Sequence, residues 1–176
     1  MVMQPDVRDE QEVEHFPVSL PFDESVGYQV RLTHRLFQRN LQQKLEPYGV
    51  TLGMWYFIRA LWHQDGLTQK ELSVVVGTME PTTLSAIKSM IDVGLVKRIR
   101  NAEDNRKMNV FLTDRGHQLK DELLPFAREI NEEAFIGFSV RERQTLLALI
   151  GVVQDNLRTK LGIEKGPGQS DMDPTF

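Results

Sequence analysis

Apolar residues recur at helical spacings of three and four along much of the chain, and turn-forming residues separate these runs. The first predicted helix begins at about Asp23, and Pro47 and Gly49 end it. Two apolar stripes run along this helix, formed by Val26, Val30, Phe37, Leu41 and Leu45 and by Tyr28, Leu32 and Leu36. The two stripes predict a helix that is covered from two sides, which a small monomer seldom achieves.

The second predicted helix, from Thr51 to about Gln64, has little polar surface and is expected near the centre of the molecule. The segment LTQKELSVVVG then predicts a short helix, because Thr68 and Glu71 have the spacing of a capping box and Gly77 can end it. Pro81 is expected at the first position of another helix. The residues expected on the buried face of that helix are Leu84, Ile87, Met90 and Ile91. Together these two helices predict a helix-turn-helix.

The segments LVKRIRN and KMNVFLT predict two strands joined by AEDNR, and two predicted helices follow them. Thr113 can cap the first of these helices, in which Pro125 predicts a kink. Its apolar side is expected to contain Leu119, Leu123, Phe126, Ile130 and Phe138. Ser139 and Glu142 form a second capping box at the start of the last helix. The apolar residues of that helix are Leu146, Leu149, Ile150, Val153, Leu157 and Leu161.

A helix-turn-helix followed by a hairpin is a winged helix, and the sequence resembles the MarR (multiple antibiotic resistance regulator) family over residues 25–161. The resemblance is strongest in LTQKEL, GLVKRIRNAEDNRKMNVFLTDRG and FSVRERQTLLALI. The family's wing signature is matched by Asp104, Arg106, Val110, Leu112, Thr113 and Gly116. The resemblance implies a mainly α fold with a small β-hairpin wing, in which the N- and C-terminal helices form a dimerisation region.

The residue patterns together with what the resemblance implies predict five segments along the chain. They are a flexible acidic arm (1–20), dimerisation and ligand-region helices (21–64), a winged helix-turn-helix DNA-binding domain (65–116), dimerisation helices (117–161) and a disordered tail (162–176).

The net charge of −4 conceals a basic middle segment. Residues 66–120 hold nine basic and six acidic side chains, whereas residues 1–25 hold one and seven. A cationic DNA-binding face is therefore compatible with the acidic pI of about 5.6. The absence of cysteine and of any apolar run of about 18 residues predicts a cytoplasmic protein without disulfides or a membrane span.

The predicted DNA contacts lie on the second helix of the helix-turn-helix and at the tip of the wing. They are Thr82, Thr83, Ser85, Lys88, Ser89, Asp104, Arg106 and Lys107. Hydroxyl groups and Lys88 can bind phosphates or base edges, and Arg106 can enter a minor groove while Asp104 holds it in place. The alternative is that Asp104 and Arg106 only stabilise a surface turn and that some of the hydroxyls are helix caps.

A ligand site is predicted between the first two helices. Its candidate residues are Arg31, His34, Arg35, Trp55, Tyr56 and Trp62. An arginine pair that faces aromatic rings can bind a carboxylate or phosphate on a flat apolar body. The alternative is that the arginines form a solvated face or inter-subunit ion pairs and that the aromatic residues are core.

The sequence favours a ligand-responsive, homodimeric, DNA-binding repressor that recognises a pseudo-palindromic operator in double-stranded DNA. The resemblance implies an aromatic effector, and the arginines favour an anionic one such as an aromatic acid or aromatic acyl-CoA. A winged helix that binds only proteins is the main alternative. The sequence shows no catalytic motif, no pair of histidines at metal-ligand spacing and no cofactor motif, so we expect neither an enzyme nor a metalloprotein.

Overall fold

The computed structural model of the protein describes residues 20–163. The predicted acidic arm, apart from Leu20, and most of the predicted tail lie outside the described residues. The helices are α1 (Val26–Leu45), α2 (Leu52–His63), α3 (Gln69–Val76), α4 (Glu80–Asp92), α5 (Asp114–Ala134) and α6 (Val140–Leu161), with a 3₁₀ turn at Glu46–Tyr48. The strands are β1 (Leu67–Thr68), β2 (Val96–Arg100) and β3 (Met108–Leu112). The described residues thus have the predicted mainly α architecture with a small sheet.

The chain separates into two compact units, residues 1–36 and 37–176. In the first unit, α1 begins at Val26 rather than at Asp23, because the hydroxyl of Ser25 accepts a hydrogen bond from the amide of Tyr28. The ring of Tyr28 stacks on Phe22 with centroids 4.7 Å apart. These two units are not divided at the boundaries of the five predicted functional segments. The division of the chain into those segments remains a prediction.

Helix α2 lies in the core of the second unit, as its composition predicted. Its buried residues are Met54, Trp55, Phe57, Ile58, Ala60, Leu61 and Trp62. The indole nitrogen of Trp62 donates a 2.8 Å hydrogen bond to the carbonyl of Gly116 and so joins α2 to the first turn of α5. The start of α5 is therefore fixed relative to the core.

The helix-turn-helix has the predicted caps but a different buried face. Thr68 and Glu71 form a capping box, and Gly77 ends α3 with a φ of 70°. Helix α4 begins at Glu80, so Pro81 is its second residue. The buried residues of α4 are Thr83, Ile87 and Met90, whereas Leu84 and Ile91 are exposed. The prediction that Leu84 and Ile91 are buried was wrong.

The sheet has three antiparallel strands in the order β1-β3-β2. Strands β2 and β3 form the predicted hairpin, in which Val96 pairs with Leu112 and Arg100 pairs with Met108. Strand β1 was not predicted, because its two residues are too short to show an alternating pattern. A carboxylate oxygen of Asp65 accepts the amide hydrogens of Gly66 and Leu112, each at 2.9 Å, and thereby connects the start of β1 to the end of β3.

The last two helices begin with the predicted caps. Thr113 accepts a hydrogen bond from the amide of Gly116, and Ser139 and Glu142 form a capping box. Helix α5 continues through Pro125 to Ala134 without interruption. Phe138 lies beyond the end of α5 and is exposed, so its predicted place on the apolar side of that helix was wrong. No described helix is both long and apolar enough to cross a membrane.

Candidate nucleic-acid interface

Helix α4 presents four of the eight predicted DNA contacts at its surface. Thr82, Ser85 and Lys88 are exposed and Ser89 is half-buried. Thr83 is fully buried, so its prediction as a DNA contact is corrected. The hydroxyl of Thr83 donates to the carbonyl of Met79 at 3.3 Å and lies 3.0 Å from the hydroxyl of Thr78. These bonds allow a polar side chain to occupy the core-facing position.

The tip of the wing holds Arg106 in an exposed position. One carboxylate oxygen of Asp104 accepts hydrogen bonds from the amide of Arg106 at 3.1 Å and from its Nε at 3.2 Å. The side chain of Arg106 is nevertheless 92% exposed. The hydrogen bonds from Arg106 lower the pKa of Asp104, so this carboxylate is ionised at neutral pH. Asp104 therefore orients the arginine without covering it.

Asn101 organises the wing turn and was missed in the sequence. Its side-chain oxygen accepts the amide hydrogens of Glu103 and Asp104, each at 2.9 Å. Its side-chain nitrogen donates to the side-chain oxygen of Asn109 on β3, also at 2.9 Å. Asparagine at the first position of a turn is a recognisable signal, because its side chain can cap the following amides. Asn101 thus fixes the loop that carries Arg106.

A basic groove of about 440 Å³ lies between the start of α3 and the wing. Its lining includes the basic residues Lys70, Arg98, Arg106 and Lys107 and the acidic residues Glu71 and Glu80. Hydrogen bonds from the backbone and side chain of Thr68 lower the pKa of Glu71, whose carboxylate belongs to the capping box. The wing strand β2 adds the exposed cations Lys97 and Arg100. The groove and wing therefore offer a cationic surface for a phosphate backbone.

A solved MarR transcriptional regulator from Methanosarcina mazei Go1 has the same fold. It is 30% identical in sequence, with a TM-score of 0.70, and the match covers 76% of this chain and 97% of that one. The chain belongs to the MarR family.

Other matches agree with this membership. A family model described as transcriptional regulator SarA/Rot matches residues 39–123. The HTH-type transcriptional regulator TtmR of Methylorubrum extorquens is 25% identical over 82% of this chain and 73% of its own length. BpsR of Bordetella bronchiseptica, whose DNA binding is regulated by 6-hydroxynicotinic acid, shares the fold with a TM-score of 0.71 at 24% identity. That match covers 78% of this chain and 98% of the BpsR chain.

Of the six predicted ligand residues, Trp55 and Tyr56 line one cavity in the second unit. The cavity has a volume of about 140 Å³ and is lined by Phe37, Gln38, Leu41, Trp55, Tyr56, Arg59, Ala127, Ile130 and Asn131. Trp62 packs edge-on against Trp55 with centroids 5.8 Å apart, but its indole is bound to Gly116. Trp62 is therefore a core residue that joins α2 to α5, which corrects its prediction as a ligand contact. Arg31, His34 and Arg35 are exposed on the part of α1 in the first unit.

Arg59 is the cation of this cavity, and the sequence prediction missed it. Its guanidinium carbon lies 5.6 Å from the centre of the Trp55 ring. Burial lowers the pKa of Arg59, and no carboxylate among residues 20–163 forms an ion pair with it. A half-buried cation without a counter-ion favours an anionic ligand. The available signal was its place one turn after Trp55, on the same face of α2.

Proposed function

We propose that this MarR-family regulator is a homodimeric repressor that binds a pseudo-palindromic operator and is released from it by a small anionic aromatic compound. The observation that carries the DNA-binding part is the wing, where Asp104 holds a 92% exposed Arg106 beside a basic groove. An arginine on a thin hairpin tip fits the narrow, electronegative minor groove. In the same complex, α4 enters the adjacent major groove.

The homodimer follows from the exposed apolar surface of the last helix. Helix α6 has 22 residues, none of them buried. Its exposed apolar stripe contains Leu146, Leu149, Ile150, Val153, Leu157 and Leu161. Val26, Val30 and Leu36 of α1 are also exposed. The apolar stripe of α6 marks a protein interface, and a second copy of the chain would cover it. Two copies would place their α4 helices about one helical turn of DNA apart, roughly 10 base pairs.

The effector would bind beside Arg59. Arg59 supplies a charge for a carboxylate, and the rings of Trp55 and Tyr56 supply a flat apolar wall. The cavity of about 140 Å³ is smaller than the roughly 300–1,000 Å³ of sites for drug-sized ligands. This volume favours a single-ring acid over an aromatic acyl-CoA. The regulation of BpsR by 6-hydroxynicotinic acid, itself a single-ring acid, supports this assignment.

Release from DNA requires the effector to prefer one state of the protein. A hundredfold loss of operator affinity corresponds to about 2.7 kcal/mol of differential binding between the two states. One charge-assisted hydrogen bond to Arg59 and stacking on Trp55 can provide that difference if the DNA-bound state closes the cavity.

The decisive experiment is selection of operator sequences from a pool of randomised DNA duplexes, followed by affinity measurements at several salt concentrations. We expect a two-fold symmetric sequence and an affinity that falls steeply as salt rises, because the basic groove and wing displace counterions from phosphates. Recovery of no preferred sequence, with weak binding that is equal for all duplexes, would contradict the proposal and favour a protein-interaction module.

A further inference from the structure

Helix α4 lacks the side chains that read bases most specifically. Its sequence, EPTTLSAIKSMID, contains no arginine, asparagine or glutamine. Arginine commonly reads guanine through two hydrogen bonds, and asparagine or glutamine reads adenine in the same way. Lys88 is the single cation of α4. The exposed hydroxyl groups of the helix can bind any base edge or a phosphate. Lys88 can read a guanine, so sequence preference at the other positions along α4 needs another source.

Leu84 is exposed on one flank of α4. The buried positions Thr83, Ile87 and Met90 define the core-facing side of the helix, and each residue turns the helix by about 100°. Leu84 therefore lies beside this buried face, and 44% of its surface is exposed. Lys88 follows one turn later on the same side. An apolar side chain thus lies next to a cation, and Leu84 itself belongs to the N-terminal half of α4, the half that contacts bases in helix-turn-helix proteins.

We propose that Leu84 contacts the C5-methyl group of a thymine in each operator half-site and makes the protein select A·T pairs at that position. This inference rests on the proposed function, since it requires α4 to enter the major groove. The thymine methyl is the apolar feature of the major-groove edge, and apolar side chains recognise it. Lys88, together with the cations of the basic groove, matches the negative charge of the DNA around that methyl group. The combination fits a duplex better than it fits an apolar protein surface.

The opposite flank of α4 has a different chemistry. Thr82, Ser85 and Ser89 line a groove of about 350 Å³ against the start of α2, together with Thr51 and Gln38. Hydroxyl groups there can bind phosphate oxygens without distinguishing bases. The two flanks of α4 therefore have different roles. The flank with Leu84 selects bases, and the flank with the hydroxyl groups binds the DNA phosphates.

Replacement of thymine by deoxyuridine tests the contact directly, because it removes the methyl group and keeps the base pairing. The probe is the duplex selected from randomised DNA, with each thymine replaced in turn, and the protein is the full chain. We expect about a fourfold loss of affinity for each half-site in which the thymine that contacts Leu84 is replaced. This factor corresponds to the free energy of burying one methyl group. Replacement at the other thymines should have little effect.

Two variants assign the effect to Leu84. Leu84→Ala should bind the thymine and uracil duplexes equally. Val74→Ala removes an equally exposed apolar side chain from α3, 46% exposed against 44%, and should keep the wild-type discrimination. Thermal unfolding of both variants checks that the exposed substitutions leave the fold intact.

The possible results separate the two proposals. If the wild type binds its selected operator but tolerates uracil at every position, Leu84 does not read a methyl group and the inference is overturned. Discrimination that persists in Leu84→Ala assigns the methyl contact to another residue and also overturns it. A wild-type protein that selects no DNA sequence overturns the proposed function itself.

Discussion

Arg106 combines exposure with orientation. The hydrogen bonds to Asp104 hold its backbone and Nε, whereas its terminal nitrogens remain available to DNA. We expect Arg106→Ala to weaken operator binding by about 1–3 kcal/mol per half-site. Arg128→Ala removes the same charge from an exposed position on α5 and should change the affinity little. Equal affinities of Arg106→Ala and the wild type at physiological salt would assign the Asp104–Arg106 pair to the stability of the turn alone.

Arg59 makes the effector hypothesis testable at one position. Arg59→Met keeps much of the apolar packing beside Trp55 but removes the charge, so we expect benzoate-type acids to bind about 10- to 100-fold more weakly. Arg35→Met makes the same change on the exposed side of α1 and should leave binding unaffected. Isothermal titration calorimetry on the free protein measures both. If only Arg35→Met loses binding, the acid binds at the predicted arginine cluster on α1 and not beside Arg59.

The difference between Thr83 and Leu84 shows what a residue pattern cannot reveal. Hydrophobicity alone places leucine inside and threonine outside. The structure reverses them because the hydroxyl of Thr83 finds partners in Met79 and Thr78, which removes the cost of burying it. Those partners lie in the turn before α4. The spacing of apolar residues along α4 therefore cannot predict these hydrogen bonds. Arg59 was missed for a related reason, since Phe37 and Asn131, which line the same cavity, are distant from it in sequence.

At the level of elements, local signals were sufficient for the starts of three helices, α3, α5 and α6. The capping boxes at Thr68 and Ser139 and the cap at Thr113 begin helices where the sequence predicted them. These signals involve residues within one turn, so a sequence displays them completely. Strand β1 was not predicted, because it depends on tertiary contacts. The sheet pairing of Leu67 with Val110 is an example.

The junction between the sheet and α5 depends on a glycine. A Cβ atom at Gly116 would lie 2.3 Å from the carbonyl oxygen of Leu95 and 3.1 Å from the Cδ2 of Leu112. Gly116→Ala must therefore displace α5 from the sheet, and we expect a loss of about 1–3 kcal/mol in the free energy of unfolding. Urea unfolding followed by circular dichroism measures it. Gly53→Ala, whose nearest such contact is 3.7 Å, should be neutral or slightly stabilising. Equal stability of the two variants would contradict this account of the junction.

At the scale of the whole molecule, the apolar stripe of α6 predicts that the chain functions as a dimer. Leu157 is exposed within that stripe, and Ala148 lies on the opposite side of the helix by its 100° periodicity. Leu157→Glu would place an unpaired charge in the interface, so we expect it to produce monomers in sedimentation equilibrium at micromolar concentration. Ala148→Glu introduces the same charge outside the stripe and should remain dimeric.

Loss of the dimer should also abolish tight DNA binding. When both half-sites are bound by one dimer, the second contact is intramolecular and raises the overall affinity by about 10²–10⁴-fold. Leu157→Glu should therefore lose operator binding although the basic groove and Arg106 are unchanged, and so should a chain truncated before Ser139. A wild-type protein that sediments as a monomer at micromolar concentration would refute the dimer. If Leu157→Glu instead sediments as a dimer and binds the operator normally, the stripe of α6 is not the surface that joins the two copies.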